Sequence, residues 1–233
     1  MRTPVLIINI LIIITLAISI LEILNSKENK QVTKSLLYYL IASLILFAFI
    51  DFKNLNFLLP NQSMAKRIIF ESYNSIFCFS ELYFFIVFFQ KHQPLKKRNR
   101  VLKKIPLLFL SLVFIFILFS LIIQPSIKTI ITLSVILNIF EYLILFSTCL
   151  LFFYSIVKNN INEAPICKDV LIIISSFFIY ISVSLPFLII ADKIKFTHRD
   201  LYMAIFFIHY LVILIVFLTI NYTIKTKKQL YYA

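Results

Sequence analysis

Apolar residues fall into seven long blocks separated by short polar stretches, at 4–24, 35–50, 68–89, 105–123, 129–157, 170–191 and 201–222. Charged residues, or clusters of Pro and Asn, bound each block. At about 1.5 Å of rise per helical residue, blocks of this length cross about 30 Å of hydrocarbon. The second is the shortest; the fifth is long enough to tilt or to begin with an interfacial turn. The pattern predicts an all-α polytopic membrane bundle, with seven transmembrane helices forming one domain over residues 1–233. The first block follows Arg2, as the core of a signal peptide would. Its apolar stretch is too long for that, and no small-x-small cleavage site precedes Glu22, so it reads as a retained helix.

Composition strengthens this reading. The 233 residues are 61% hydrophobic and 14% charged, with a mean hydropathy of +0.98. A water-soluble domain of that size lacks the polar surface to cover so much apolar area. No connection between blocks is long enough for an extramembrane domain. The last ten residues, IKTKKQLYYA, leave no room for a kinase or cyclase.

A formal net charge of +13 raises the question of nucleic acid, and the placement of the charge answers it. Seven of the 23 Lys and Arg lie within KHQPLKKRNRVLKK, residues 91–104, directly beside the third block. Lys96, Lys97, Arg98, Arg100, Lys103 and Lys104 form the candidate basic loop. A folded basic domain with aromatic platforms is missing, so no nucleic-acid partner is expected. The positive-inside rule instead makes this loop cytoplasmic. The connections after blocks one, three and five, with the C-terminal tail, hold 3, 7, 2 and 3 Lys or Arg, 15 in all. The N-terminus and the other three connections hold 8. The expected topology therefore has the N-terminus outside and the C-terminus in the cytoplasm of a bacterial plasma (inner) membrane. The loop serves to fix orientation, to hold anionic lipid at about 1 kcal/mol per residue, or to dock a protein partner.

The chain has no glycine and no tryptophan. Without glycine there is no GxGxxG or phosphate-cradling loop, hence no expected dinucleotide or nucleotide cofactor. There is also no GxxxG face, so helices must pack through Ala, Ser and interlocking large side chains. Carriers with broken helices mark the breaks with Gly or Pro. Only Pro186 lies well inside a block, whereas Pro4 and Pro106 sit at expected helix starts. Cys78, Cys149 and Cys167 match neither a zinc site nor a redox pair, and Cys78 and Cys149 read as small apolar filler. His92 and His198 fall in connections without metal-ligating companions, so no metal is expected.

Chemistry concentrates in the few polar residues inside the blocks. Glu81, Glu141 and His209 lie on the third, fifth and seventh blocks, each near the middle. Glu81 is about 20 Å from the outer end of its helix. An ionised side chain at such depth costs about 2.5–3.5 kcal/mol on insertion scales. Spacing adds to this: Asn74, Cys78 and Glu81 stand at i, i+4 and i+7, and Ser134, Asn138 and Glu141 repeat that interval. Each helix thus carries a narrow polar stripe ending in a glutamate, expected to face the other stripe or a small cavity. Ser175, Ser182 and Pro186 share a face of the sixth helix. The fourth helix is nearly all lipid-like and belongs at the periphery. Glu22, Asp51, Glu71, Asp192 and Asp200 lie near block ends, where solvated helix-end roles are expected. The competing use of the buried polar groups is as ties between helices, at about 0.6 kcal/mol each.

Four segments, FESYNSIFCFSELYFFIVFF, NIFEYLILFSTCLLFFYSI, FFIYISVSLPFLI and LYMAIFFIHYLVILIVFL, resemble the successive motifs of small seven-helix bacterial membrane proteins. The matching positions are Glu81, Glu141, Cys149 and His209. The layout is similar to that of seven-helix sensor input modules, which implies a sensory role. Sensor proteins usually append a signalling domain; none is expected from this sequence, so output would pass through a separate partner. The expectation is a receptor-like, non-enzymatic protein binding a small molecule, lipid or proton among Glu81, Glu141, His209, Asn74 and Asn138. Its expected partners are the lipid bilayer and a membrane or cytoplasmic protein, and homo-oligomerisation is compatible with the sequence. A proton-coupled permease and an assembly or structural subunit are the alternatives.

Overall fold

The computed structural model describes residues 2–25, 31–54, 64–92, 99–123, 125–159 and 168–226. Their regular structure is entirely helical: α1 (Arg2–Asn25), α2 (Gln31–Asn54), α3 (Met64–His92), α4 (Asn99–Ile122), α5 (Ile127–Asn159), α6 (Lys168–Thr197) and α7 (Arg199–Thr226). Six of them are long and apolar enough to cross a membrane. In α2 only Lys34–Ala48 is apolar, which falls short of a full span.

The helices begin and end where local chemistry dictates. Ser126 caps α5, its hydroxyl accepting from the Thr129 amide at 3.2 Å. His198 alone separates α6 from α7. Its carbonyl accepts from the Tyr202 amide at 2.9 Å, and Asp200 sits in the first turn, where a negative charge suits the helix dipole. Hydroxyls buried in apolar surroundings bond back to their own helix, as Thr15 does to the Leu11 carbonyl at 2.8 Å and Ser43 to that of Tyr39 at 2.7 Å.

Two expectations about boundaries need correction. Pro106 does not start a helix: α4 begins at Asn99, because the basic segment is itself helical. His92 closes α3 rather than lying in a connection, and its ring rests on Phe88 at 4.7 Å. Both expectations treated the charged residues as the limit of the helix. A helix extends past the oil as readily as within it when its residues have good propensity. Pro186, by contrast, stands inside an unbroken α6 with its ring on the outer surface.

Around the bundle the order is α1, α2, α3, α5, α6, α7, closed by α7 against α1. The fourth helix packs outside this ring, mainly on α3. It is the least buried of the six long spans and α3 the most. Leu107, Leu108, Phe114 and Ile115 point outward from α4, whereas Phe109, Val113 and Phe116 point in. Helices successive in the chain run antiparallel where they pack, as α2 on α3 and α6 on α7. Helices α3 and α5 run in the same direction, since Asn74 meets Asn138 and Phe89 meets Phe152. Side-chain amides add ties: Asn9 donates to the Phe47 carbonyl at 3.3 Å and Asn221 to that of Thr15 at 3.5 Å.

The centre is aromatic. Tyr39 of α2 is stacked on Phe84 of α3 with ring centroids 5.4 Å apart. It also meets Phe177 of α6 and Phe217 of α7. One side chain therefore touches three other helices and fills the axis of the ring, a role that no small residue takes in a chain without glycine.

Candidate functional site

The stripes of α3 and α5 meet. Asn74 donates to Ser134 at 3.3 Å and to the Asn138 side-chain carbonyl at 3.4 Å. One turn further along, the Cys78 thiol donates to the same Asn138 oxygen at 3.0 Å. Cys78 is therefore a rung of the polar ladder and not simply filler. Cys149, fully buried in the apolar core, remains filler, while Cys167 lies outside the described residues. The ladder ends in Glu81 and Glu141, both with almost no solvent exposure. The two carboxyls are close enough to feel each other's charge, and Tyr39, Cys78, Tyr142 and Tyr180 share that neighbourhood. Among the described residues neither oxygen of Glu81 has a hydrogen-bond partner, nor has Oε1 of Glu141. Tyr39 is the phenol nearest in sense to Glu81, yet it falls short of hydrogen-bond geometry. Buried polar atoms are nearly always paired, so an unpaired carboxyl in the core calls for a functional account.

His209 belongs to the other side of the bundle. Its Nδ1 lies 3.1 Å from the Ser184 hydroxyl of α6, and its ring stacks on Phe187 at 5.1 Å and on Tyr180 at 6.1 Å. The sequence placed Glu81, Glu141 and His209 together by depth; the structure makes two groups of them. What joins the groups is a pair of tyrosines. The hydroxyls of Tyr142, next to Glu141, and Tyr180, against His209, are 2.6 Å apart.

Beside these tyrosines lies a cavity of about 350 Å³ between α2, α3, α5, α6 and α7. Asn74, Asn138, Ser134 and His209 form part of its wall, together with Tyr39, Tyr142 and Tyr180. Glu81 and Glu141, buried in the same core, do not line it. The cavity reaches Ile131 and Tyr202, within about a turn of the helix starts at Ile127 and Arg199. Those starts are at the end of the bundle opposite the α3–α4 connection.

Several wall residues were not anticipated. Glu71 was expected to be solvated near a helix end; it is 5% exposed and faces the cavity. Nearness to the end of an apolar block is a statement about depth, and α3 is central enough to bury a residue about two turns from its start. Asp200 is exposed as expected. Tyr180 stands beside the expected Ser175–Ser182–Pro186 face of the sixth helix, while Tyr39 and Tyr142 could have been noticed as phenols at mid-depth in apolar blocks, each needing a partner for its hydroxyl. Of the basic loop, Lys104 is exposed at the start of the α4 span, and Arg100 and Lys103 lie on α4. Lys96, Lys97 and Arg98 lie outside the described residues. Among the described residues no group of three or more His, Cys, Asp or Glu is placed to hold a metal ion.

No protein-family model matches the chain, and neither a curated protein nor a solved structure matches it.

Proposed function

We propose that this chain is a seven-helix, receptor-like membrane protein that binds a small ligand in the α2–α3–α5–α6–α7 cavity and acts through a separate protein partner. The cavity carries the reading: it lies within the bundle, has polar groups from three helices in an aromatic wall, and includes tyrosines that share the neighbourhood of the buried acid pair. Pockets with few, convergent polar groups in an apolar wall are the usual sites of small-molecule recognition. All seven helices cross a bacterial plasma membrane, with the N-terminus outside, so the cavity faces the exterior and the basic loop the cytoplasm. A ligand touching Asn74, Asn138 and His209 bears at once on α3, α5 and α7. Its contacts would alter the Tyr142–Tyr180 link and, through it, the acid pair. Facing carboxyls in a low dielectric cannot both carry charge without a proton or cation between them, so a change in their spacing changes what they hold. The α3–α4 segment, with Lys96, Lys97, Arg98, Arg100, Lys103 and Lys104, passes the change to the partner.

The test is photo-crosslinking from residues 96 to 104 in cells. It compares the wild-type chain with Val135→Phe, which places a ring in the cavity wall. One reproducible partner is expected, captured in different yield by the variant. Failure to recover any partner, or identical capture by both chains, overturns the reading. Counterflow of a solute in proteoliposomes, abolished by Glu81→Gln, would establish a proton-coupled permease in its place.

A further inference from the structure

Half of the residues around the cavity are phenylalanine or tyrosine. The face of each such ring presents negative charge density, which attracts a cation most strongly where water is excluded. Among the described residues, the formal charges of the cavity wall and its surroundings in the core have the same sign. Glu71 is in the wall, and Glu81 and Glu141 are buried in the core nearby without lining it. Among the described residues no lysine or arginine lines it. His209 is the single basic side chain among the described residues of its wall, and its ring stacks on Tyr180 and Phe187 with Nδ1 on Ser184. An anion would meet the Glu71 carboxylate and the ring faces, with only the neutral donors of Asn74, Asn138, Ser134 and the phenols to set against them. An uncharged lipophile would fit the rings and leave the amides of Asn74 and Asn138 with nothing to recognise.

We infer that the cavity takes an organic cation, a protonated or quaternary amine with an apolar body. Its head lies among the tyrosines and is countered by Glu71 and by the acid pair nearby. This inference rests on the receptor reading above and names its ligand class. Glu71 has an interaction of its own within the chain, so its charge is shared with the ligand. The cation can come from a free amine or from the headgroup of an amine-bearing lipid, since both offer the same chemistry.

The experiment uses the full chain in phosphatidylglycerol nanodiscs, with empty nanodiscs as the partition control. Calorimetry compares phenethyltrimethylammonium, its uncharged tert-butyl isostere (3,3-dimethylbutyl)benzene, and the anion 4-phenylbutyrate. The cation should bind at least about tenfold tighter than either, about 1.4 kcal/mol at 25 °C. Glu71→Gln should weaken it by a similar factor. If that variant does not fold, the comparison of probes on the wild-type chain decides alone. Adding phosphatidylethanolamine separates the sources: lost probe binding assigns the site to a lipid headgroup, and unchanged binding to a soluble amine, and each supports the cation class. Equal or tighter binding of the isostere, or binding of the anion, overturns the inference while leaving the receptor reading in place. Binding of no probe also overturns it; the receptor reading then stands or falls on whether Val135→Phe changes partner capture.

Discussion

At the scale of residues, the ladder between α3 and α5 contains groups of two kinds. Asn138 accepts from Asn74 and from Cys78, so its replacement by leucine removes two buried hydrogen bonds. Asn138→Leu should lose about 1 kcal/mol of stability, given about 0.6 kcal/mol per intramembrane bond. Glu81 has no such bonds to lose. Its substitution by glutamine keeps the shape and removes a carboxyl that the core leaves unpaired, so Glu81→Gln should melt at or above the wild-type temperature. Residues kept at no gain in stability are those retained for function. Thermal melting of both variants in one mild detergent checks the contrast. A fall of several degrees for Glu81→Gln would make the acid a structural tie. Tyr142→Phe is the third case: it breaks the 2.6 Å contact with Tyr180 and should cost about 1 kcal/mol, a loss that the same measurement reads.

At the scale of elements, the helical period made the two stripes legible. Asn74, Cys78 and Glu81 share a face by arithmetic alone, and so do Ser134, Asn138 and Glu141. The lipid-like character of α4 was equally legible, because it has almost nothing polar to turn inward. What spacing does not carry is azimuth between helices. His209 shares its depth with Glu81 and Glu141, yet it turns toward α6, and depth contains no term for that. The tyrosines were hidden for another reason. In an apolar block, a phenol that fills the core and one that meets lipid headgroups look alike; Tyr39 is buried and its neighbour Tyr38 is exposed. Helix α6 gives a prediction at this scale. Pro186 removes the bond that its amide would make to the carbonyl of Ser182, and its ring is exposed on the outer surface. Pro186→Ala should therefore raise stability by about 1 kcal/mol, less than the roughly 3 kcal/mol of a proline in a soluble helix interior. A lower melting temperature would mean that the fold depends on the shape proline imposes there.

At the scale of the whole molecule, the proposed orientation follows from the charge bias of 15 against 8 Lys and Arg between the two sides. A green fluorescent reporter fused to the C-terminus should be bright in cells, and an alkaline phosphatase at the same point inactive. The reverse pair would turn the cavity toward the cytoplasm and put the basic loop outside. The bundle is built around aromatic rings, and that has a practical consequence. Tyr39, Tyr142, Tyr180, Tyr202 and Tyr210 are five of the chain's 12 tyrosines, and all five border the cavity. With no tryptophan in the chain, ultraviolet emission from these phenols has no indole to drain into and none to mask it. The protein thus carries its own optical probe around the cavity, and an occupant that quenches or dries those rings would be visible without a label.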